Sequence, residues 1–480
     1  MISYLYIIIL LIEVINTSTY LLPASKCPRE DSLRKCLDQH IKGTVNYRDD
    51  FFSYNTDLNV EYNQRIIYFP VAFVRPIDVI DVQNTIKCGA KLNYPIVARS
   101  GGHSSESYSL GDRDCYLVID LITLNEVTVD ITSQTAIIGT GNTLNPLYYA
   151  INQYEFAFPG GLCPHVGVGG HIMGGGMGLI ARRFGYASDS ILDAQIVLAN
   201  GTVVNNVKEH PELLWAIRGA GNAGYGIVTS LTLRIYPIPK TVAYHSFTYD
   251  MNQIPSLISV INQLGYNLHQ NLTFATAIFE SQVHVNGIYL GPVDELQLHM
   301  QEFIKLSKPK SVSYIEDDLY NVILYDSGSA SNHSDFKIKS FYIDSTGLSD
   351  EGVNYLMKFV ERFKCKIGVD FSLIGGGVDK FRRNETAYVH RGFLYHLKLK
   401  AFTPTEECLQ DLGMFSQNFQ RKYTSYESYQ NHIDRQLDNW QCRYYGENFG
   451  RLVEIKRKYD PYNLFRWNQS ISTNTRISCY

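Results

Sequence analysis

Nine glycines fall within the twenty-two residues FPGGLCPHVGVGGHIMGGGMGL, 158–179, together with one cysteine and two histidines. No other stretch constrains the fold as strongly. Each glycine gives up a side chain that could pack, and in return lets backbone approach a flat or charged surface or turn through positive φ. The stretch therefore reads as a backbone cradle with a thiol, Cys163, at its edge. Three readings are open. Cys163, His165 and His171 could ligate a metal, although Cys-x-His is not a usual zinc spacing and the intervening glycines would hold the ligands loosely. The stretch could be a structural turn around a buried cysteine. Or the glycines could carry a planar cofactor.

The length of 480 residues exceeds one ordinary core and predicts two domains. With 45% hydrophobic and 19% charged residues the chain is globular. A net charge of −4 gives no basic field for nucleic acid or anionic membrane. The apolar run from Tyr4 to Ile12, followed by small polar residues, fits a secretory signal within residues 1–22 and is too short to span a bilayer. No later segment approaches 18 uninterrupted apolar residues, so a secreted protein without a membrane anchor is expected. Sequons at Asn200, Asn271, Asn332, Asn384 and Asn468 agree with secretion. The nine cysteines contain no C-x-x-C pair, and in a secreted chain their odd number leaves one to be explained.

The pattern along the chain predicts an α+β protein. Residues 45–240 alternate short strands and helices: a strand at 94–98, a helix beginning near Asp78 and ending near Gly89, and a hairpin around Asn200-Gly201. From 241 to 425 the runs VAYHSFTY, LTFATAIFE, QVHVNGIYLG and FLYHLKLKAF alternate with polar helices. They predict a second domain built on an antiparallel sheet backed by helices. The tail, 426–480, carries an amphipathic helix stopped at Asp460-Pro461.

GAGNAG at 219–224 satisfies the G-x-G-x-x-G string, but a helical segment precedes it and a strand follows. That context is the inverse of a nicotinamide-binding turn. More informative is VARSGGHSSESYS, 97–109, a second glycine loop with one nucleophile, His103, at its tip. Two such loops, offering an imidazole and a thiol, would suit a planar cofactor tethered at two edges. A flavin has two electrophilic edge positions of that kind.

With YNQRI (62–66), GGLCPHVGVGGHIMGGGMGLIARRFGYASD, LLWAIRGAGNAGYGIVTSLTL, TAYVHR (386–391), YQNHID and YYGENFGRLVEIKRKYDPYNLFRWNQSI, the chain resembles the berberine bridge enzyme-like flavoproteins of the vanillyl-alcohol oxidase group. It is also similar to fungal oligosaccharide oxidases. The resemblance implies a two-part FAD-binding domain of the PCMH type, a substrate domain, and a tail folding back on the FAD domain. It implies FAD bonded at the 8α carbon by His103 and at C6 by Cys163. Further cofactor contacts would come from Arg99, Ser100, Gly101, Gly102, Ser104, Gly169, Gly170, Gly174, Gly175 and Gly178. Gly226, Ile227 and Val228 would meet the adenine end, and Asn463 of the tail would also contact the cofactor. It implies a Cys36–Cys88 disulfide, leaving Cys27, Cys115, Cys365, Cys408, Cys442 and Cys479 unassigned. Val166, three residues after the tether cysteine, stands at the family's oxygen gate, where valine accompanies oxygen reactivity. A monomer is expected, and no metal.

Sugar-oxidising relatives carry Tyr-x-Asn-Tyr, whose second tyrosine takes the substrate proton. Here the segment reads Tyr429-Gln430-Asn431-His432, so His432 becomes the candidate base, and an imidazole near its usual pKa is a reasonable one at neutral pH. Tyr429 is the alternative, with His432 then only packed. A second departure is Ser105, where many relatives have tyrosine. Tyr388 and His390 border the expected cleft, Tyr388 as a further candidate catalytic residue and His390 equally well as half of a structural carboxylate pair. The expected activity is oxidation of an alcohol or a sugar anomeric carbon with release of hydrogen peroxide. Oxidative cyclisation of a secondary metabolite, and a flavin-loaded protein without turnover, are the alternatives.

Overall fold

Three sheets organise the molecule, seen here in a computed structural model that describes residues 20, 25–327, 333–475, 477 and 479. The apolar run at 4–12 and the Asn332 sequon lie outside the described residues. The first sheet has the order Thr44–Tyr47, Ala72–Arg75, Leu117–Asp120, Ile96–Arg99, and its last three strands are parallel. Helix Val79–Leu92 makes the crossover between Ala72–Arg75 and Ile96–Arg99. Its start is as expected, with the Asp78 carboxylate accepting from the amides of Ile80 and Asp81. Its end is not: the helix runs through Gly89 to Asn93 at φ 62°. Gly89 is glycine because a Cβ there would sit 2.7 Å from Ile96 Cδ1, so it marks a close helix–strand contact instead of a cap.

The second sheet is antiparallel, in the order Val127–Asp130, Thr135–Gly139, Ile227–Arg234, Ile191–Val197, Val203–Val204. The third has seven antiparallel strands: Ser311–Asp317, Val242–Tyr249, Gln282–Tyr289, Leu272–Phe279, Ile367–Leu373, Phe393–Phe402 and Phe336–Asp344. Helices Ile254–Leu264, Val293–Ser307, Asp350–Arg362 and Glu406–Tyr423 pack on one face of it. Period-2 alternation decides which face. Along Phe393–Phe402, Tyr395, Leu397, Leu399 and Ala401 are fully buried toward the helices, whereas His396, Lys398 and Lys400 point the other way. Strand Phe336–Asp344 does not stand out in the sequence, because Lys337 and Lys339 occupy its buried positions. They are tolerated there because Glu106 and Asp434 neutralise them.

The tail crosses back over both smaller sheets. Helix Phe449–Tyr459 contributes Phe449, Leu452 and Val453 to the core of the second sheet, and Leu464 and Phe465 join that of the first. The Asp460 carboxylate stops the helix by accepting from the amides of Leu464 (2.8 Å) and Phe465 (2.9 Å) and from Lys456 (2.7 Å). GAGNAG is used in the same junction. Gly219 abuts Tyr388, Gly221 abuts Met173, and Gly224 faces the Phe465 carbonyl. The string serves chain packing.

Four disulfides join Cys27 to Cys115, Cys36 to Cys88, Cys365 to Cys408 and Cys442 to Cys479, and Cys163 is free. The expected Cys36–Cys88 bond is present. The other three pairings are new from the structure. No helix among the described residues is long and apolar enough to cross a membrane.

Candidate flavin site

The two glycine loops meet back to back. A Cβ on Gly101 would lie 2.8 Å from Gly167 Cα, and one on Gly167 would run into the Gly101 amide nitrogen and Ser100 Oγ. Ser100 Oγ completes the junction, donating to the Thr140 carbonyl (2.5 Å) and accepting from the Gly169 amide (3.3 Å). Most of the dense glycine stretch is thus required by protein packed on protein. Gly178 faces the Gly160 carbonyl, Gly226 the Val197 carbonyl at 2.8 Å, Gly175 (φ 128°) the Tyr388 ring and Gly102 (φ 68°) the Val60 carbonyl. Gly169 is tight against Thr140 at 3.2 Å. Gly170 differs: among the described residues a Cβ there meets no atom within 4 Å outside its own helix, which leaves room on that side for another molecule.

His103 and Cys163 sit on these two packed loops. The His103 ring stacks on Tyr62, 4.3 Å between centroids and 11° from parallel. Burial, then the charges of His165, His333 and Lys400, push its pKa down to about 3, so it is neutral. Burial raises Cys163 above the usual thiol range, against the nearby Lys400 and Lys398 charges, so it is held as a thiol. Lys400 is itself pushed down to about 8 by burial. The same Lys400 charge also acts on His432. One cation therefore has all three principal predicted residues, His103, Cys163 and His432, within its electrostatic reach.

His171 belongs to the scaffold: its Nε2 accepts from the Gly161 amide at 2.8 Å, and burial lowers its pKa to about 4. Among the described residues, the cysteines and histidine close enough to share an ion are Cys36, His40 and Cys88, and both cysteines are consumed by their disulfide.

The segment Tyr429–His432 is pinned residue by residue until its last side chain. Tyr429 donates its amide to Ser340 Oγ (2.8 Å), and its hydroxyl oxygen accepts from the Gly176 amide (2.8 Å) and Asn431 Nδ2 (2.9 Å). Burial pushes this phenol up to about 12. Gln430 donates to the Gly219 carbonyl (2.8 Å), which turns its Oε1 toward His390 Nε2 (3.0 Å). Asn431 donates to the His171 carbonyl (2.8 Å). His432 Nδ1, by contrast, is buried and has no hydrogen-bond partner among the described residues. Its ring lies 5.1 Å from those of His396 and Tyr429. Burial first, then His396 and Lys398, hold His432 well below the ordinary histidine value. That differs from the sequence expectation of a near-normal pKa, and the reason is desolvation beside cations.

Two sequence candidates are placed where their hydroxyls are already committed. Tyr388 is fully buried, its hydroxyl 2.6 Å from that of Tyr342, and burial raises it well above the usual phenol range. It acts as a wedge between Gly175 and Gly219. Tyr429, bonded as described, is an anchor. His390 is the structural pair that the sequence left open, with Nδ1 2.6 Å from Glu427 Oε2, and Glu427 is also bound by Arg383 at 2.6 Å.

The remaining predicted contacts are mixed. The Arg99 guanidinium is fully buried and consumed by Asp57, Glu61 and Asp120, so its side chain is turned into the scaffold. Ser104 Oγ accepts from the Tyr108 amide (3.0 Å) within its own turn. Ile227 and Val228 are buried in the central strand of the second sheet, where the Val228 carbonyl accepts from Thr140 Oγ1 (2.6 Å). Gly174 ends the short helix Val168–Met173. Val166 packs partly buried against the second-sheet core. Asn463 turns at φ 51° and keeps a buried Oδ1 without a partner. Open space at Gly170, an orphaned Asn463 oxygen and a neutral His103 fit a flat, polar-edged group such as FAD.

The face of the large sheet turned away from its helices was not singled out in the sequence. It carries half-buried Ser246, Asn286, Asp370, Ser372, Lys398 and Lys400, with Lys398 paired to Asp370 at 3.0 Å. The signal was present in FLYHLKLKAF, where His396, Lys398 and Lys400 alternate with apolar residues, but alternation alone does not say whether a polar face meets solvent or a ligand. His432 also lines a cleft of about 420 Å³ between helix Glu406–Tyr423, the edge strand and the tail.

Residues 70–206 match the FAD binding domain family and residues 428–472 the berberine and berberine-like family. The structure superposes on the wild-type BBE-like 1 protein of Physcomitrella patens with a TM-score of 0.86 and 31% identity, over 92% of this chain and all of that one. The chain belongs to the berberine bridge enzyme-like family. This berberine bridge enzyme-like chain is also 28% identical to cannabidiolic acid synthase-like 1 of Cannabis sativa, over 92% of its own length and 93% of the relative's. Glucooligosaccharide oxidase from Acremonium strictum, which carries a 6-S-cysteinyl, 8α-N1-histidyl FAD, aligns at 25% identity and TM-score 0.84, covering 92% of this chain and 99% of that one. The family is one of FAD-dependent oxidoreductases that includes carbohydrate oxidases.

Proposed function

We propose that this protein is a secreted oxidase that holds FAD through His103 and Cys163 and oxidises an alcohol or a sugar anomeric carbon, with dioxygen as electron acceptor. The observation that carries the proposal is the packing of the His103 loop on the Cys163 loop, where a Cβ on Gly101 would lie 2.8 Å from Gly167 Cα and 3.0 Å from the His165 carbonyl, with His432 Nδ1 buried and without a hydrogen-bond partner among the described residues. FAD, when bound, supplies the hydride acceptor. The protein's share is acid–base chemistry and positioning. His432 takes the substrate hydroxyl proton. Tyr429, Gln430 and Asn431 fix the backbone that carries it, and the Lys398–Asp370 pair beside it orients a polyhydroxylated substrate. Val166 supports dioxygen as acceptor. Residues 45–240 with the tail from 426 form the FAD unit in this reading, and residues 241–425 the substrate unit. Four disulfides and exposed sequon asparagines at 200, 384 and 468 support secretion.

The hydrogen-bonding side chains of this sheet face, Ser246, Asn286 and Ser372 with the Lys398–Asp370 pair, favour sugars over secondary metabolites. Glu427, the carboxylate nearest the candidate base in sequence, is committed to His390 and Arg383 and unavailable for the metabolite chemistry.

The test is acid precipitation of protein from a secretory host, followed by a sugar panel. Yellow colour in the washed pellet and peroxide release on an oligosaccharide are expected. Colour confined to the supernatant would remove the covalent link, and a flavin that no sugar bleaches under nitrogen would remove the activity. The pH profile is a separate check. The base works in its neutral form, and its pKa is lowered from 6.5, so kcat/KM should stay flat from pH 8 down to 6.5 and fall only below. A midpoint at or above 6.5 would assign the proton to another group.

A further inference from the structure

The motif YNQRI has no part in the chemistry just described, yet its first residue lies flat against His103. We propose that Tyr62 is a positioning residue that sets the plane of the His103 imidazole for bond formation with the flavin 8α carbon. The inference rests on the covalent reading above.

An imidazole reaches an electrophilic carbon only if its nitrogen lone pair is aimed at it, and its side-chain torsions are otherwise free to turn it away. Among the described residues no hydrogen bond orients the His103 ring; stacking on Tyr62 at 4.3 Å and 11° does. Tyr62 is itself held from several directions. Its amide donates to the Gly102 carbonyl (2.9 Å), immediately before His103, and its carbonyl accepts from Ser334 (3.2 Å). Its ring sits among His333 (5.9 Å), Phe336 (5.7 Å) and the Lys400 ammonium (5.6 Å). The next residue, Asn63, locks the same loop to the large sheet, donating to the Ser105 carbonyl (2.6 Å) and accepting from the Phe336 amide (3.1 Å). Tyr62 is therefore a fixed plate against which the imidazole nucleophile is laid. Burial and the neighbouring charges keep that nucleophile unprotonated.

The step balances as follows. A bond forms between a ring nitrogen of His103 and C8α. One proton leaves the methyl group and one leaves the imidazole. The two electrons left on the ring system pass to dioxygen, which takes up both protons as hydrogen peroxide.

The experiment uses full-length secreted protein as wild type, Tyr62→Leu, Tyr62→Met and Tyr62→Phe. Each is digested, and the flavin-bearing peptides that contain His103 and Cys163 are quantified separately by mass spectrometry. The His103 adduct should fall roughly five- to tenfold in Tyr62→Leu, the scale of one aromatic stacking contact. The Cys163 adduct should persist, and Tyr62→Phe should restore the wild-type pattern. Tyr62→Met, of similar volume but without a ring, serves if Tyr62→Leu does not fold, and the same loss is expected. A wild-type His103 adduct that survives unchanged in the non-aromatic variants would overturn the proposal alone. Equal loss of both adducts would also overturn it, by showing a general defect of the site. Absence of any His103 adduct in wild type would overturn the covalent reading and this inference with it.

Discussion

His432→Asn should lower the rate of flavin reduction by about 10²–10⁴-fold, the usual contribution of a positioned base, while the bound flavin is retained. Asparagine keeps a polar side chain of similar reach but cannot take a proton at neutral pH. The fold should tolerate the change, because Nδ1 has no partner to lose and the segment is held by Tyr429, Gln430 and Asn431. His432→Tyr, which restores the residue of sugar-oxidising relatives, should recover part of the rate and move its pH dependence upward, because phenols titrate higher than imidazoles. Stopped-flow reduction under nitrogen separates these outcomes from any effect on reoxidation. An unchanged rate in His432→Asn would reassign the base, and Tyr429→Phe would then be the variant to make.

Gly167→Ala should abolish the cradle altogether. The added methyl would collide with the Gly101 amide and with Ser100 Oγ, which is held by its bonds to Thr140 and Gly169, so the two loops must part. A backbone clash of this kind belongs with the severe overpacking class, at about 3 kcal/mol or more. The expected product is poorly expressed or flavin-free protein. Gly170→Ala is the informative contrast. Among the described residues no atom outside its own helix lies within 4 Å of its new Cβ, so the melting temperature without flavin should hardly move. Flavin per protein should nevertheless fall, because the methyl enters the open side of the cradle. Thermal melts and flavin stoichiometry on the two variants decide the matter. If Gly170→Ala binds flavin normally, the open surface at that position is not where the cofactor lies.

The comparison of these glycines shows what sequence and tertiary structure each contribute. Glycine density at 158–179 is legible in the chain, and with His103 on a second loop it was enough to point to a tethered planar cofactor. It could not say which glycines face a ligand and which face other backbone, because both require the absence of a Cβ. Only the packing of Gly167 on Gly101 and the open space at Gly170 separate them. Helix Val79–Leu92 shows the same division. Its start was readable from Asp78, whose cap is a local bond, whereas its end was misread at Gly89, whose reason is a contact with Ile96 across the crossover. The alternation in FLYHLKLKAF marked a strand, but its register against Phe336–Asp344 and Ile367–Leu373 is what placed Lys398 beside Asp370.

Protonation was the least legible property. His432, Tyr429 and Tyr388 carry their chemistry in their names, yet burial and neighbours from distant segments decide which of them is free to take a proton. By itself the sequence determined what depends on residue identity and local spacing: the α+β pattern, the two nucleophile-bearing glycine loops, the odd cysteine, and a histidine in place of a tyrosine. The tertiary structure alone decided three of the disulfide pairings, the burial of the Tyr388 hydroxyl against Tyr342, and the packing of the His103 loop on the Cys163 loop at Gly101 and Gly167. These depend on separation in space and on access to water, which order along the chain does not encode locally.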